Sequence, residues 1–390
     1  MVVIFEREPR KGEAKFKMKS VLVISYSNLK SDARVKRQIS FLKKLGYAIT
    51  VACYDNEDQE LTLIKIKPPQ LSLFNKAMSG VLLLLRRYTY AYKLLYGQHL
   101  NFDQSFDLII ANDIEALPLA FQLKAKAKIL FDAHEYAPRH FENKLSWRIF
   151  FQGFNKFFCH KYIPRVDGMM TIGEGIANEY EKHYGVKPVI ITNAPAFYDI
   201  QPNPTNSKRI KLVHQGIANP SRKLELMFDM MEHLDERFTL DLMLMEPIHR
   251  SNIIYLEKLK GLAKKNPRIQ FVPPVTTDKI IPTLNQYDIG IVLIPPINFN
   301  YRNTLPNKFF ECIQARIALA IGPIPEMKKI TEKFDLGVVS KDFTAASLAK
   351  QIQPLTAEKI DNFKNNTTVA SHKLNAEENE RIFKSLLSPL

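Results

Sequence analysis

Along this chain, short apolar runs alternate with segments whose apolar residues recur every three or four positions. Such runs mark buried strands, and the recurrence marks amphipathic helices. The run 21–25 is followed by a polar loop and then by Val35, Ile39 and Leu42 at helical spacing. Ser31 or Asp32 suits the N-cap of that helix, Gly46 suits its stop, and 48–53 closes a βαβ unit. Further strands are expected at 107–111, 128–132 and 168–172, with a helix opening at Glu174. Strands alternating with helices predict a mainly parallel sheet. From 193 to 204 the periodicity lapses, and Asn193, Pro195, Pro202, Asn203 and Pro204 cluster as in a hinge. The alternation then restarts, with strands expected at 210–215, 240–244, 268–272, 288–294 and 318–322.

The predicted fold class is therefore α/β, as two Rossmann-like domains with parallel sheets facing a central cleft. The boundary is placed near residue 200, with 18–200 as the N-terminal domain and 201–370 as the C-terminal one. Residues 371–390 are read as a helix packing back on the first domain, and 1–17 as a flexible extension. Ligands in such sheets bind beyond the carboxyl ends of the strands, so the cleft suits two substrates.

Composition adds exclusions. The length of 390 residues is too great for one ordinary core, and 46% hydrophobic residues without a low-complexity tract exclude a disordered chain. Cys53, Cys159 and Cys312 lie far apart without C-x-x-C spacing, which argues against a disulfide framework or a zinc site and for the reducing cytosol. The first residues lack a secretory core, and no run approaches the ~20 apolar residues of a spanning helix, so a cytoplasmic protein is expected. A net charge of +15 asks for an anionic partner.

Candidate chemistry concentrates in 303–327, NTLPNKFFECIQARIALAIGPIPEM. Pro306 fits the first turn of a helix, whose exposed amides form an anion site favoured by the dipole; Asn307 stands beside it. Lys308 adds a charge to that end, and Glu311, a turn further in, offers a carboxylate to a vicinal ribose diol. A capped surface helix with a solvated Lys and Glu fits the same spacing. Upstream, LVHQGIANPSRKLELMFDMM carries Gly216, Arg222 and Lys223. An Arg there can hold a diphosphate bidentately. In the first half, ANDIEALPLA and ILFDAHEYAP end predicted strands with Asp113, His134 and Glu135, and TIGEGIANEYEKHYGV does so with Gly173 and Glu174.

These segments, in order and spacing, resemble the retaining nucleotide-sugar glycosyltransferases of the GT-B type, the family often numbered four. The resemblance runs from residue 20 to about 385 and is sharpest at P-N-K-x-x-E followed by P-E-M. It implies that Glu311 binds the nucleotide ribose and that the helix start at Pro306, Asn307 and Lys308 contacts the diphosphate. Gly216, Arg222 and Lys223 would complete that end. His134 would face the donor sugar and polarise a hydroxyl, giving His134, Arg222 and Glu311 the catalytic roles. Asn303 stands where many relatives carry a second Glu near the sugar, and an amide also bonds hydroxyls. Asn28, where relatives place glycines, together with Asp113, Glu135, Gly173 and Glu174, would border the acceptor.

The implied reaction moves a hexose from a UDP- or GDP-sugar to a glycan or lipid-linked acceptor in cell-surface polysaccharide synthesis. Configuration is retained, the leaving phosphate takes the acceptor proton, and neither metal nor other cofactor is required. For His134 a satisfied buried histidine remains open; a metal site from Asp132, His134 and Glu135 is rejected because neighbours on an extended segment point apart. A nucleotide-sugar epimerase or hydrolase on the same fold is the alternative enzyme.

Two basic aromatic stretches stand outside these motifs. Residues 76–102 contain no acid, while Arg86, Arg87 and Lys93 sit among Leu and Tyr. In 139–165, Trp147, Phe150, Phe151, Phe154 and Phe158 fall at helical spacing, with Arg148, Lys156 and Lys161 off that face. The stripe reads either as core or as a contact with an anionic membrane surface, which would place the protein peripherally at the membrane. A nucleic-acid-binding protein is the rival from another class. With no RNP or zinc-finger pattern, no nucleic acid is expected as partner.

Overall fold

Runs of Val, Ile, Leu and Ala without charge can be strands only where both faces are covered, which is the setting of a central parallel sheet. The computed structural model, which describes residues 18–56, 58, 60–68, 71–97 and 105–390, contains two such sheets. The extension 1–17 lies outside the described residues, as does the end of the 76–102 stretch.

The first sheet comprises β1 (Ser20–Ser25), β2 (Ala48–Cys53), β3 (Thr62–Lys65), β4 (Leu108–Asn112), β5 (Lys128–Ala133), β6 (Gly168–Thr171) and β7 (Val189–Ile190). Its order is β3-β2-β1-β4-β5-β6-β7. All pairs are parallel, with Val23 registered on Val51 and on Ile110. The second sheet comprises β8 (Ile210–Ile217), β9 (Phe238–Met245), β10 (Ile269–Phe271), β11 (Ile289–Val292), β12 (Ala318–Ile321) and β13 (Gly337–Val339), in the order β10-β9-β8-β11-β12-β13 and again parallel. The edge strands β3 and β13 were not anticipated. β3 is four mostly exposed residues ending in Lys65, and β13 is three residues beginning at Gly337, so neither carries an apolar run.

Residues 191–209 join the sheets without strand or helix. Two buried cations hold this segment to the second unit. Arg316 donates to Tyr198 O, and Lys364 donates to Asn203 O while pairing with Asp288 at 2.6 Å. The last helix, Ala376–Leu387, returns to the first sheet, where Phe383 meets Phe41 at 5.8 Å between ring centroids and Glu380 pairs with Lys44.

The aromatic stripe of 147–158 divides. Phe154 and Phe158 are buried in the first core, with Phe150 and Phe151 packed half-exposed against it. The buried part of the stripe is therefore a core face, since Phe154 and Phe158 pack on each other and on Tyr88 and Tyr92, with Phe151 against Phe154. The helix carrying them runs from Leu145–Trp147 through a π-helical turn, Arg148–Gln152, into Gly153–Tyr162. Among the described residues, no helix is long and apolar enough to cross a membrane.

Candidate active site

Asn28, Asp113, His134 and Gly173 lie in loops just beyond the carboxyl ends of β1, β4, β5 and β6, while Gly216 is the penultimate residue of β8. The second domain supplies a cationic corner. Gly216, near the end of β8, has φ +132°, a conformation closed to ordinary side chains. A Cβ there would stand 2.9 Å from Lys308 Nζ and 3.3 Å from Arg222 Nη1, so the glycine lets both cations approach the strand end.

Lys308 lies in the first turn of the helix Asn307–Gln314 and is buried. Its Nζ donates to His214 Nε2 at 3.2 Å, while His214 Nδ1 donates to Ile291 O at 2.8 Å. A carbonyl can only accept, so Nδ1 carries the proton and His214 is neutral. Burial, then the charge of Arg222, push the Lys308 ammonium well below its usual range. Burial and Lys308 do the same to His214. Two basic side chains, neither in an ion pair among the described residues, stand at a helix N-terminus and form an anion site, where a bound anion favours the protonated Lys308. Pro306 occupies the cap position just before the helix, one residue earlier than expected, and Asn307 is exposed at its first turn. Lys223, exposed with φ +48°, closes the turn after Arg222.

Glu311, one turn along, accepts from Gln215 Nε2 at 2.6 Å. Burial pushes its carboxyl up, opposed by the charges of Lys308 and of Arg37 on the first domain's helix Ala33–Lys44. Sequence reasoning overlooked His214, Gln215 and Arg37. The first two flank the recognised Gly216 on its own strand, while Arg37 is one basic residue among several on an ordinary amphipathic helix.

The first domain presents His134 between two carboxylates. Its Nδ1 lies 3.2 Å from Asp113 Oδ2, and its Nε2 lies 3.3 Å from Asn112 Oδ1 and 3.6 Å from Asp132 Oδ2. Asn112 donates its amide hydrogens to Ile24 O and Gln38 Oε1, so its oxygen accepts. Both ring nitrogens therefore face acceptors, and the imidazole is a cation. Burial alone would lower its pKa, but Asp113 and Asp132 raise it to about 9. Burial likewise works against ionised Asp132, yet a bidentate Arg34 and His134 hold that carboxyl down at about 2.

Asp113 adopts φ +62° without being glycine, a strained conformation that aims one carboxylate oxygen at the His134 N–H and the other at its ring. Nearby Glu115 is pushed up to about 7 by burial and by Asp113. Asp132 and His134 meet, but Glu135 turns away from them. Asp132 turns inward to Arg34, and Glu135 pairs with His140 at 2.9 Å and accepts from Asn300.

Several expected cleft residues join the two domains. Asn303 donates to Phe299 O, and its oxygen would lie 2.1 Å from a Cβ on Gly175, so only glycine admits this approach. Gly175 N–H donates to Glu326 of P-E-M at 2.6 Å, and Glu174 pairs with Lys329 at 2.5 Å. Gly173 lies against Glu326 and Leu305. Asn300 accepts from Tyr136 N–H at 2.8 Å, and Asn193 donates to Leu305 O. Asn28 is exposed and caps the turn Leu29–Ser31 by accepting from Lys30 N–H.

The chain matches no family model, and no curated sequence is similar to it. Its fold is shared with solved structures. Sucrose-phosphate synthase from Thermosynechococcus elongatus superposes with a TM-score of 0.71 at 12% identity, over 95% of this chain and 100% of that one. Anabaena HepE in complex with UDP-glucose gives 0.67 at 14%, with the same coverage of both chains. A trehalose 6-phosphate synthase from Burkholderia multivorans gives 0.63 at 12%, over 94% of this chain and 96% of that one. The chain therefore has the GT-B fold, two parallel α/β sheets across a cleft.

Proposed function

We propose that this protein is a glycosyltransferase that takes a hexose from a nucleoside-diphosphate sugar, with UDP as the nucleotide. The observation that carries this reading is the convergence of Lys308, Arg222 and the Asn307 helix start on Gly216, with Glu311 one turn away. That spacing suits a diphosphate followed by a ribose diol. UDP is preferred to GDP because HepE has been solved with UDP-glucose and with UDP on the same fold.

Arg222 and Lys308 offset the charge of the departing diphosphate, so a metal ion is not needed for that task. His134, a cation up to about pH 9, donates hydrogen bonds and is a poor general base. This favours retention, with the leaving phosphate taking the acceptor proton. The acceptor, a glycan or a lipid-linked hydroxyl, would enter beside Asp113, Glu115 and Glu135.

The test is to incubate UDP- and GDP-hexoses with the protein and a membrane lipid extract, with and without EDTA, and to follow nucleotide release and product anomer. UDP-hexose turnover that needs the extract, tolerates EDTA and retains configuration is expected. Release without acceptor would make the protein a hydrolase. Full turnover by all of Glu311→Ala, Arg222→Ala and His134→Ala would refute the site assignment.

A further inference from the structure

The helix Leu73–Leu84 buries only Ser79 and Leu83 against the first domain. Phe74, Met78, Val81 and Leu85 recur on its other side at i, i+4, i+7 and i+11 and are exposed, Phe74 at 70% and Leu85 at 65%. Leu145 and Ile149, one turn apart on the neighbouring helix, are exposed at 62% and 52%. The two helices touch where Phe150 packs 3.8 Å from the position a Gly80 Cβ would take, so their apolar faces adjoin. An unpaired apolar surface of this extent marks an interaction site.

Its charge narrows the partner. Lys76, Arg86, Arg87, Lys144, Arg148 and Lys156 are exposed around it, and neither 71–97 nor 143–166 contains an Asp or Glu. A second copy pressed onto this face would oppose cations to cations with no carboxylate to pair them. A bilayer with anionic headgroups meets both demands, taking apolar side chains below the headgroups and basic ones among them.

We infer that this face, formed by Leu73–Leu85 and Leu145–Ile149, docks the protein on an anionic lipid surface. The buried rings of the aromatic stripe, Phe154 and Phe158, are core and take no part in it. Behind the face, Tyr92 donates to Glu115 O and His140 pairs with Glu135, so it adjoins the acceptor rim. Resting on the proposed reaction, this makes a membrane-embedded lipid the carrier of the acceptor hydroxyl.

The test uses the full chain with sedimented vesicles of phosphatidylcholine alone or with 30% phosphatidylglycerol, which needs no catalytic readout. Binding at least tenfold stronger to the anionic vesicles, and weakened by 0.5 M salt, is expected. The exposed triple variant Phe74→Ser, Val81→Ser, Leu85→Ser should lose at least tenfold while keeping the parent's melting temperature and UDP affinity. Equal recovery on both vesicles, no binding to either, or parental binding by the triple variant would overturn the inference. So would a dimer abolished by the same variant, which would assign the face to a second copy. UDP binding that fails while vesicle binding holds would instead count against the donor site.

Discussion

Replacing Gly216 by alanine probes the cationic corner without removing any of its charges. At φ +132° an alanine is strained by roughly 1–3 kcal/mol. For a unit of this size that lowers the melting temperature by about 2–12 °C. The new methyl would stand 2.9 Å from Lys308 Nζ, displacing an ammonium that is buried and bonded to His214. Losing one charge-assisted contact to phosphate corresponds to about 1.5–3 kcal/mol, or roughly 10- to 100-fold in UDP affinity. The control is Gly261→Ala in the helix Arg250–Ala263, where a Cβ meets nothing within 4 Å and should stabilise by about 0.5–1 kcal/mol. Titration calorimetry with UDP and thermal melts of both variants provide the assay. UDP affinity within twofold of the parent in Gly216→Ala would refute the claim that this corner holds the diphosphate.

Three further outcomes are expected. His134 has its pKa raised from 6.5 to about 9 on folding, so its contribution to stability, up to about 3 kcal/mol, is complete below pH 6.5 and lost as pH rises through 9. Urea melts across that window should show a slope that His134→Gln removes, and an unchanged slope would contradict the clamp by Asp113 and Asp132. Because burial and Arg222 hold Lys308 well below its usual pKa and a bound diphosphate would raise it, diphosphate binding should take up protons over part of the pH range, giving there a binding enthalpy that varies with buffer ionisation heat; independence of buffer at every pH would contradict it. Asn300→Ala strands the Tyr136 N–H and frees Glu135, which should reduce stability by about 1–3 kcal/mol and open the cleft, seen as a larger radius of gyration in scattering; an unchanged radius would show that other contacts hold the domains.

Both central sheets were readable because strands covered on two faces are written in uninterrupted apolar residues, as in Leu108–Asn112 and Ala318–Ile321. The donor corner was readable in part. Lys308 and Glu311 share one local helix that Pro306 caps, whereas Gln215 and His214 reach it from a strand, a long-range contact that local spacing does not report. The strain at Asp113 left no trace, since nothing in A-N-D-I announces a positive φ. Glu174 was read as a cleft residue from its strand-to-helix turn, and Asn303 as a donor-sugar residue from the family resemblance. What each meets, Lys329 and Gly175, depends on how the domains abut. The apolar face of Leu73–Leu84 shows why an apolar run alone cannot be assigned to core or surface. VLLLL is divided between buried Leu83 and exposed Val81, Leu84 and Leu85.

The most direct test of the donor site is a crystal structure of the protein with UDP. The diphosphate should lie within hydrogen-bond distance of Lys308, Arg222 and the backbone amides opening the Asn307–Gln314 helix, and the ribose hydroxyls should lie on Glu311. A nucleotide bound away from that helix, or with its ribose turned from Glu311, would contradict the assignment.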